Sequence, residues 1–471
     1  MNTAKSVNAG PRLDRLPISR FHWRVLALIS CGGVLDAFDV YLAGGVLAAA
    51  KAEGFSTMAQ TATFLSVTSV GMLIGALLAG YMGDRKGRRY SYQFNLWVFG
   101  LASFAGAMSP TMDFLIVCRL IMGIGLGAEF VVAAGTLGEF IPPRYRGRWA
   151  SVMGLLTSSG LLISTAVGYF IIPSIGWRYM FVIAGTGATI VCLMRKQMPE
   201  SPRWLESVGR FDEAASVLDA IEAEVAATKG PLPAPLAAVQ MATAAAPTAS
   251  LFKPPLLARL LAASCVTIAV NTSVYGLVTW LPIFLTSHGH SVGESLAVTT
   301  WMSFGSVAGS AVGIAIADRV PRRVGLIGAA IAIVIFGLVY LSASGFVFVA
   351  LAGFLLVSSI YTLSNQGMYS YVPELFPTAY RLRGTGFAGT SARALAIVTP
   401  FLTIYLFEDF GLAGVLAMVF SLLATMVVAV VCLKVEARGR SLDDIAPPPS
   451  KHTASEESRR IAADRPRPDQ K

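Results

Sequence analysis

The stretch GYMGDRKGRR at residues 80–89 closes one apolar run, 60–82, and leads directly into another, 90–108. Each run approaches the roughly 20 apolar residues needed to cross a bilayer. Asp84, Arg85, Lys86, Arg88 and Arg89 crowd the short connection between them, which must therefore lie in water or headgroups. A shorter echo, ADRVPRR, stands at 317–323, with Asp318 placed 318 − 84 = 234 residues after Asp84. Further on, Glu139, Pro142, Arg146 and Gly147 are echoed by Glu374, Pro377, Arg383 and Gly384, where 374 − 139 = 235. One offset fits both pairs, so the chain is a tandem repeat of two membrane-embedded halves.

Working outward, the apolar runs number twelve, six on each side of one long polar insertion. The fold class that follows is an all-α membrane protein of twelve transmembrane helices in two pseudo-symmetric halves. Its parts are an N-terminal segment 1–23, a six-helix half 24–194, a central loop 195–255, a second six-helix half 256–435 and a disordered tail 436–471. Within the loop, an amphipathic helix is expected around Arg210 to Glu224, followed by a Pro/Ala-rich linker. The composition agrees: of 471 residues 55% are hydrophobic and only 14% charged, against roughly 25% charged in a soluble protein.

The net charge of +10 would suit a nucleic-acid partner, but the basic residues are confined to the loops between apolar runs, so none is expected. Basic residues follow the second, fourth, eighth and tenth runs, whereas the alternate loops hold only Lys51 and Arg178. The positive-inside rule then puts both termini and the central loop in the cytoplasm, in a cell membrane of the bacterial inner-membrane kind, with the first helix uncleaved. The five cysteines and four histidines are scattered, without CxxC or zinc-ligand spacing. No metal, no cofactor, no P-loop and no nucleophile–base set is read, so the chain is not expected to be an enzyme.

GYMGDRKGRR at 80–89 and RLIMGIGLG at 119–127 resemble the two signature motifs of the major facilitator superfamily. Within it, DAFDVY in the first run, GAEF at 127–130, PESPRWL at 199–205, TWLP at 279–282 and Arg393 seven residues before Pro400 resemble the aromatic acid/proton symporters and related metabolite/proton symporters. One departure is Ala37, where the aromatic-acid symporters usually carry Gly. The resemblance implies alternating access, with protons as the coupling ion, a small organic anion as substrate and the bilayer as surroundings; a monomer is expected.

Asp36 and Asp39 share a helix face well inside an apolar run, where a carboxylate must find water or a partner. The resemblance implies that the pair is needed for transport; a structural bridge between helices is the plainer alternative. Arg119 could pair with an acid of the first helix, and Glu129, ten residues on, could border the same cavity. These four make the proton-coupling set.

Arg393 lies well inside an apolar run of the second half, and its planar fork fits a carboxylate, from the substrate or from the other half. Asn271 and Tyr275 in the seventh run, and Tyr361, Asn365, Gln366 and Tyr369 in the tenth, could stack on a ring and hydrogen-bond its substituents, or merely pack. Asp84, Arg85, Arg88 and Arg89 with Glu139 and Arg146, and Asp318 and Arg319 with Glu374 and Arg383, are assigned to gating at the basic face. A sugar acid or aliphatic carboxylate is the alternative substrate, and an exporter or non-transporting sensor the weaker alternative function.

Overall fold

The computed structural model describes residues 7–234, 248–317, 319–376 and 380–433. These are helical, with no strand among the described residues. The first six spans are Arg20–Ala52, Met58–Lys86, Arg88–Ala107, Met112–Phe140, Arg146–Ile175 and Arg178–Arg195. In the second half the seventh span is Leu256–Tyr275 continued by Leu281–Ser287, the eighth Val292–Ala317, the ninth Arg322–Ser342, and the tenth Phe346–Ser364 continued to Glu374. The helix Arg381–Leu433 bends at Gly411, where φ is +62°, into the eleventh and twelfth spans.

Eight described helices are long and apolar enough by themselves to cross a membrane. One is the bent pair at Gly411. Met112–Phe140 carries Arg119 and Glu129 inside it, and Arg88–Ala107 and Arg178–Arg195 give part of their length to charged and polar residues at their ends, so these three depend on the bundle around them. Leu77, Trp97, Leu101, Val117, Phe170, Val347 and Phe348 point outward, as lipid-facing side chains do.

The stretch 80–89 is a tight turn between the second and third spans. Gly87 has φ +95°, and a side chain there would run into the Glu200 carboxylate, which accepts from the Arg88 N–H at 2.9 Å. Glycine is thus required both for the backbone and for the space. Gly123 packs on the backbone of the second span, where an added methyl would lie 2.7 Å from the Thr68 carbonyl oxygen, and Gly127 packs likewise on Met72. The small-residue spacing brings these backbones together as it does in membrane helix pairs.

Hydrogen bonds between the halves run from the midplane towards the face away from the termini. Ser306 Oγ donates to the Ser158 carbonyl at 2.9 Å, Thr165 and Ser303 hydroxyls are 2.8 Å apart, Ser66 Oγ donates to the Ile397 carbonyl at 2.7 Å, and Lys51 Nζ reaches Ser287 at 3.2 Å.

On the basic face the chain before the first span is docked. Glu206 accepts from the N–H groups of Val7, Asn8 and Ala9 at 2.8, 2.9 and 3.0 Å, and so caps the short helix Ala9–Asp14. Arg12 pairs with Asp219 at 2.6 Å and Glu222 at 2.7 Å, Arg15 with Glu222 at 2.7 Å, and Asp14 with Arg203 at 2.5 Å. The amphipathic helix expected in the central loop is Phe211–Lys229, which buries Ala214, Leu218, Ile221 and Val225. Two boundaries move: the first span begins at Arg20, and Arg195 belongs to the sixth span, not to the loop. The linker at 235–247 and the tail lie outside the described residues.

Candidate functional site

Two buried ion pairs hold the N-terminal half together at its centre. Arg119 Nη1 lies 2.5 Å from Asp39 Oδ2, its Nη2 donates to the Asp39 carbonyl at 3.1 Å, and its Nε donates to Thr68 Oγ1 at 2.9 Å. One guanidinium thus ties the fourth span to the first and second. Arg195 Nη1 lies 2.5 Å from Glu129 Oε1, while Nε and Nη2 donate to the Leu28 and Ile29 carbonyls at 3.0 and 3.1 Å. Its guanidinium also stacks 4.3 Å from the Tyr92 ring. All four ion-pair residues are no more than 1% exposed.

Gly32 makes room for the second pair, because a side chain there would overlap Arg195 and Glu129. One helical turn later comes Asp36, within electrostatic reach of Glu129, Arg195 and Asp39. It is half-buried and makes no ion pair or hydrogen bond with the described residues.

Across the interface, the seventh span is interrupted after Tyr275 and resumes at Leu281, and the tenth widens into a π-helical turn over Asn365–Tyr371. Such breaks in membrane helices mark cavities and functional sites. Tyr275 is half-buried and within electrostatic reach of both Arg393 of the eleventh span and Asp36 of the first. Asn271, one turn before, is half-buried with its Nδ2 donating to the Thr267 carbonyl at 2.9 Å. Tyr361 donates its hydroxyl proton to Tyr41, joining the halves. Tyr369 lies against Gly154 of the fifth span. Tyr275 is thus within reach of a cation of its own half and of an acid of the other.

Two expected cavity residues turn elsewhere. Gln366 Nε2 donates to the Gly313 carbonyl at 2.6 Å, and Asn365 packs on Gly313. The π-helical turn directs both towards the eighth span, where they brace the bundle. The basic-face clusters also differ from expectation, because they form within each half. Arg88 bridges Asp84 at 3.1 Å and Glu139 at 2.9 Å, and Arg322 bridges Glu374 at 3.1 Å. Arg89 donates to the Lys196 carbonyl at 3.0 Å, Arg85 stacks on Tyr81, and Arg146 turns to Asp14 at 3.5 Å and the Ile141 carbonyl at 2.9 Å, away from Arg88. Arg319 is exposed and Arg383 half-buried, and Asp318 lies outside the described residues.

Sequence reasoning passed over Arg195 and Tyr41. Arg195 stands one residue beyond the apolar run that defined the sixth helix, and reads there as a boundary charge. The signal that could have found it is the glycine pair Gly32-Gly33, a bare helix face that invites a large partner.

A two-times-six helical bundle with charge pairs in its core and a polar, aromatic meeting place between its halves defines a secondary transporter. The family described as sugar (and other) transporter matches residues 25–447, and the chain belongs to that family, within the major facilitator superfamily. It is 32% identical over 444 residues to the inner membrane metabolite transport protein YdjE of Escherichia coli (strain K12), covering 93% of this chain and 98% of that protein. It is 30% identical over 438 residues to the niacin transporter NiaP of Acinetobacter baylyi, covering 92% and 98%. Among solved structures, the xylose transporter XylE from E. coli, in a partially occluded inward-open conformation, matches with a TM-score of 0.67 at 19% identity over 90% of this chain and 100% of that one. That likeness shows the shared fold.

Proposed function

We propose that this transporter imports a small organic anion, an aromatic or heteroaromatic carboxylate, together with protons, and that the basic face with both termini is cytoplasmic. The observation that carries the reading is Arg393, half-buried in the eleventh span and within electrostatic reach of Tyr275, which is itself within reach of Asp36 of the other half. A guanidinium there suits a carboxylate bidentately, and the tyrosines suit a flat ring. The niacin named for NiaP is a pyridine carboxylate, which supports the same class.

Asp36, Asp39, Arg119 and Glu129, joined by Arg195, form the proton-coupling group in this reading. Intramembrane acids beside a cavity serve proton transfer far more often than plain packing. Asn271, Tyr275, Tyr361 and Arg393 contact substrate, and the basic-face clusters set the gate. The family description keeps a sugar acid as the second reading.

The test is uptake of labelled nicotinate and 4-hydroxybenzoate by proteoliposomes under an inward proton gradient. Accumulation abolished by a protonophore supports the proposal. Uptake of sugar acids alone, with neither aromatic acid accepted, replaces it with the second reading.

A further inference from the structure

We infer that the seam between the third and sixth spans binds an anionic phospholipid from the leaflet at the basic face, its phosphodiester held by Lys86, Arg89 and Lys196 and its acyl chains laid along Trp97. The site lies on the outer wall of the bundle, apart from the cavity between the halves, and its occupancy does not depend on which solute is carried.

The turn between the second and third spans carries Arg85, Lys86 and Arg89, and Arg89 ties it to the sixth span: its Nη2 donates to the Lys196 carbonyl at 3.0 Å. Lys86 Nζ lies 4.6 Å from the centre of the Tyr90 ring, and the Arg85 guanidinium 4.3 Å from that of Tyr81. Arg85, Lys86, Arg89 and Lys196 are all exposed, and none makes an ion pair among the described residues. The two acids nearby are engaged elsewhere. Asp84 pairs with Arg88 at 3.1 Å, and Glu200 accepts from the backbone N–H groups of Arg88, Arg89 and Ser201 at 2.9, 3.2 and 2.9 Å. A net positive charge therefore stands at the edge of the bilayer, where it attracts anionic headgroups.

Below the cations the surface turns apolar. Tyr90, Phe94, Trp97 and Leu101 recur at helical spacing along the third span and are exposed, as is Leu193 of the sixth. The Tyr90 and Phe94 rings stack at 6.3 Å. Gly100 packs on Ala188 and Phe104 on Gly185, so the two helices meet closely along this line. A free inorganic anion would use the cations alone. An aromatic, apolar stripe directly beneath them suits a headgroup with chains attached.

The second half supplies an internal comparison. At the offset of 234 or 235 residues that relates the halves, Arg323 of the ninth span donates to the Val431 carbonyl of the twelfth at 3.1 Å, the same tie that Arg89 makes to Lys196. The backbone device is common to both halves, whereas the side chains around it are not: Lys86, Tyr90, Trp97 and Lys196 correspond to Val320, Val324, Ile331 and Val431. Contact with lipid chains asks only for apolar side chains. Cations and interfacial aromatics in one half, where the other has aliphatic residues, therefore answer to something that half alone binds.

The test uses the full chain in phosphatidylcholine vesicles titrated with phosphatidylglycerol brominated on its acyl chains. It reads quenching of the Trp97 fluorescence, isolated by subtracting the signal of Trp97→Phe. Quenching should saturate at a low fraction of brominated phosphatidylglycerol, and brominated phosphatidylcholine should need a far higher fraction for the same effect. Lys86→Gln with Lys196→Gln should weaken the association of phosphatidylglycerol by ~30-fold, at about 5-fold for each charge, and added salt should weaken it in the wild type. Arg319→Gln with Lys253→Gln removes the same charge from the second half and should leave the midpoint where it was. Equal midpoints for the two lipids, or an unchanged midpoint in the Lys86 and Lys196 double variant, overturns the proposal. An equal shift in the second-half control replaces the site with a diffuse surface field and overturns it too. So does inorganic phosphate that relieves the quenching where sodium chloride of the same ionic strength does not, since the cations would then hold a free anion.

Discussion

Arg195 of the sixth span and Glu129 of the fourth meet at 2.5 Å, over a first span stripped to glycine at position 32 so that the guanidinium can also take the Leu28 and Ile29 carbonyls. Three helices are fastened at one charged point buried from water. Breaking such a pair from one side leaves an uncompensated charge, at a cost of roughly 3–5 kcal/mol, whereas replacing both partners together is far milder. Arg195→Ala should therefore lower the thermal unfolding temperature in detergent markedly, and Arg195→Met with Glu129→Leu should recover most of the loss. Equal loss in the single and double variants would mean that packing, and not charge compensation, governs the site.

Gly32 and Gly33 separate the two parts of that packing. A methyl at Gly32 would overlap the Glu129 carboxylate and the Arg195 guanidinium paired with it, which is also tied to the Leu28 and Ile29 carbonyls; at Gly33 it would meet Thr157 Oγ1 at 2.8 Å, the end of a side chain that can rotate. Gly32→Ala should destabilise by about 1–3 kcal/mol, the usual range for overpacking, and Gly33→Ala by clearly less. Thermal unfolding of the two variants side by side checks the order, and a reversed order would contradict the packing described.

Tyr361 donates to Tyr41 across the interface, in a conformation whose other cross-half hydrogen bonds run towards the face away from the termini. Opening that face must break the bond. Removing a hydrogen bond of this kind is worth about 0.5–1.5 kcal/mol, so Tyr361→Phe should raise the population open on that face by ~2–10-fold. Labelling rates of a cysteine introduced at Ser287, measured in both backgrounds, report the shift; unchanged labelling would remove the tyrosine pair from the gate.

On the basic face, burial alone would lift the Glu222 carboxyl, but hydrogen bonds and charges from Arg12 and Arg15 together hold it below the ordinary carboxylate range. A group held low in the folded state stabilises fully above its unfolded value, about 4.3, and loses that contribution as pH falls through the lower folded value. The segment Ala9–Asp14 should accordingly stay docked on Phe211–Lys229 at neutral pH and loosen below about pH 4. Hydrogen exchange at residues 9–14 against pH measures this, and Glu222→Gln should give weakened protection already at pH 7.

The twelve spans, the two halves and the loop helix were legible in the sequence because membrane crossing imposes length and apolarity on contiguous residues, and those are local properties. The four-residue spacing of Gly123 and Gly127 is likewise a local signal of a close helix pair. The rotation of Asn365 and Gln366 towards Gly313 was not legible, since it depends on a π-helical turn that displaces side chains from the ordinary 100° spacing. Arg195 was hidden for a related reason: its charge is buried by two other helices, and no single stretch of sequence records that enclosure. Arg88 and Glu374 were expected to help close the basic face between the halves, yet Arg88 bridges Asp84 and Glu139 and Glu374 pairs with Arg322, each within its own half. Which of several nearby acids a long flexible guanidinium chooses is settled by three-dimensional distance, which motif spacing does not encode.

If Arg393 receives the substrate carboxylate, its effect must depend on the substrate's charge. Nicotinate and nicotinamide share a ring and nearly a shape, and differ in whether the group facing the guanidinium is anionic. A hydrogen bond to a charged partner is worth roughly 1.5–3 kcal/mol, more than one between neutral groups. Arg393→Ala should thus weaken nicotinate binding by about 10–150-fold, with a much smaller change for nicotinamide. Arg393→Lys should recover part of the nicotinate affinity, because the charge returns while the planar two-pronged fit does not. Competition against labelled nicotinate in the purified protein measures all three. Equal losses for acid and amide would place Arg393 in helix packing beside Tyr275 and would move the search for the anion site to another wall of the cavity.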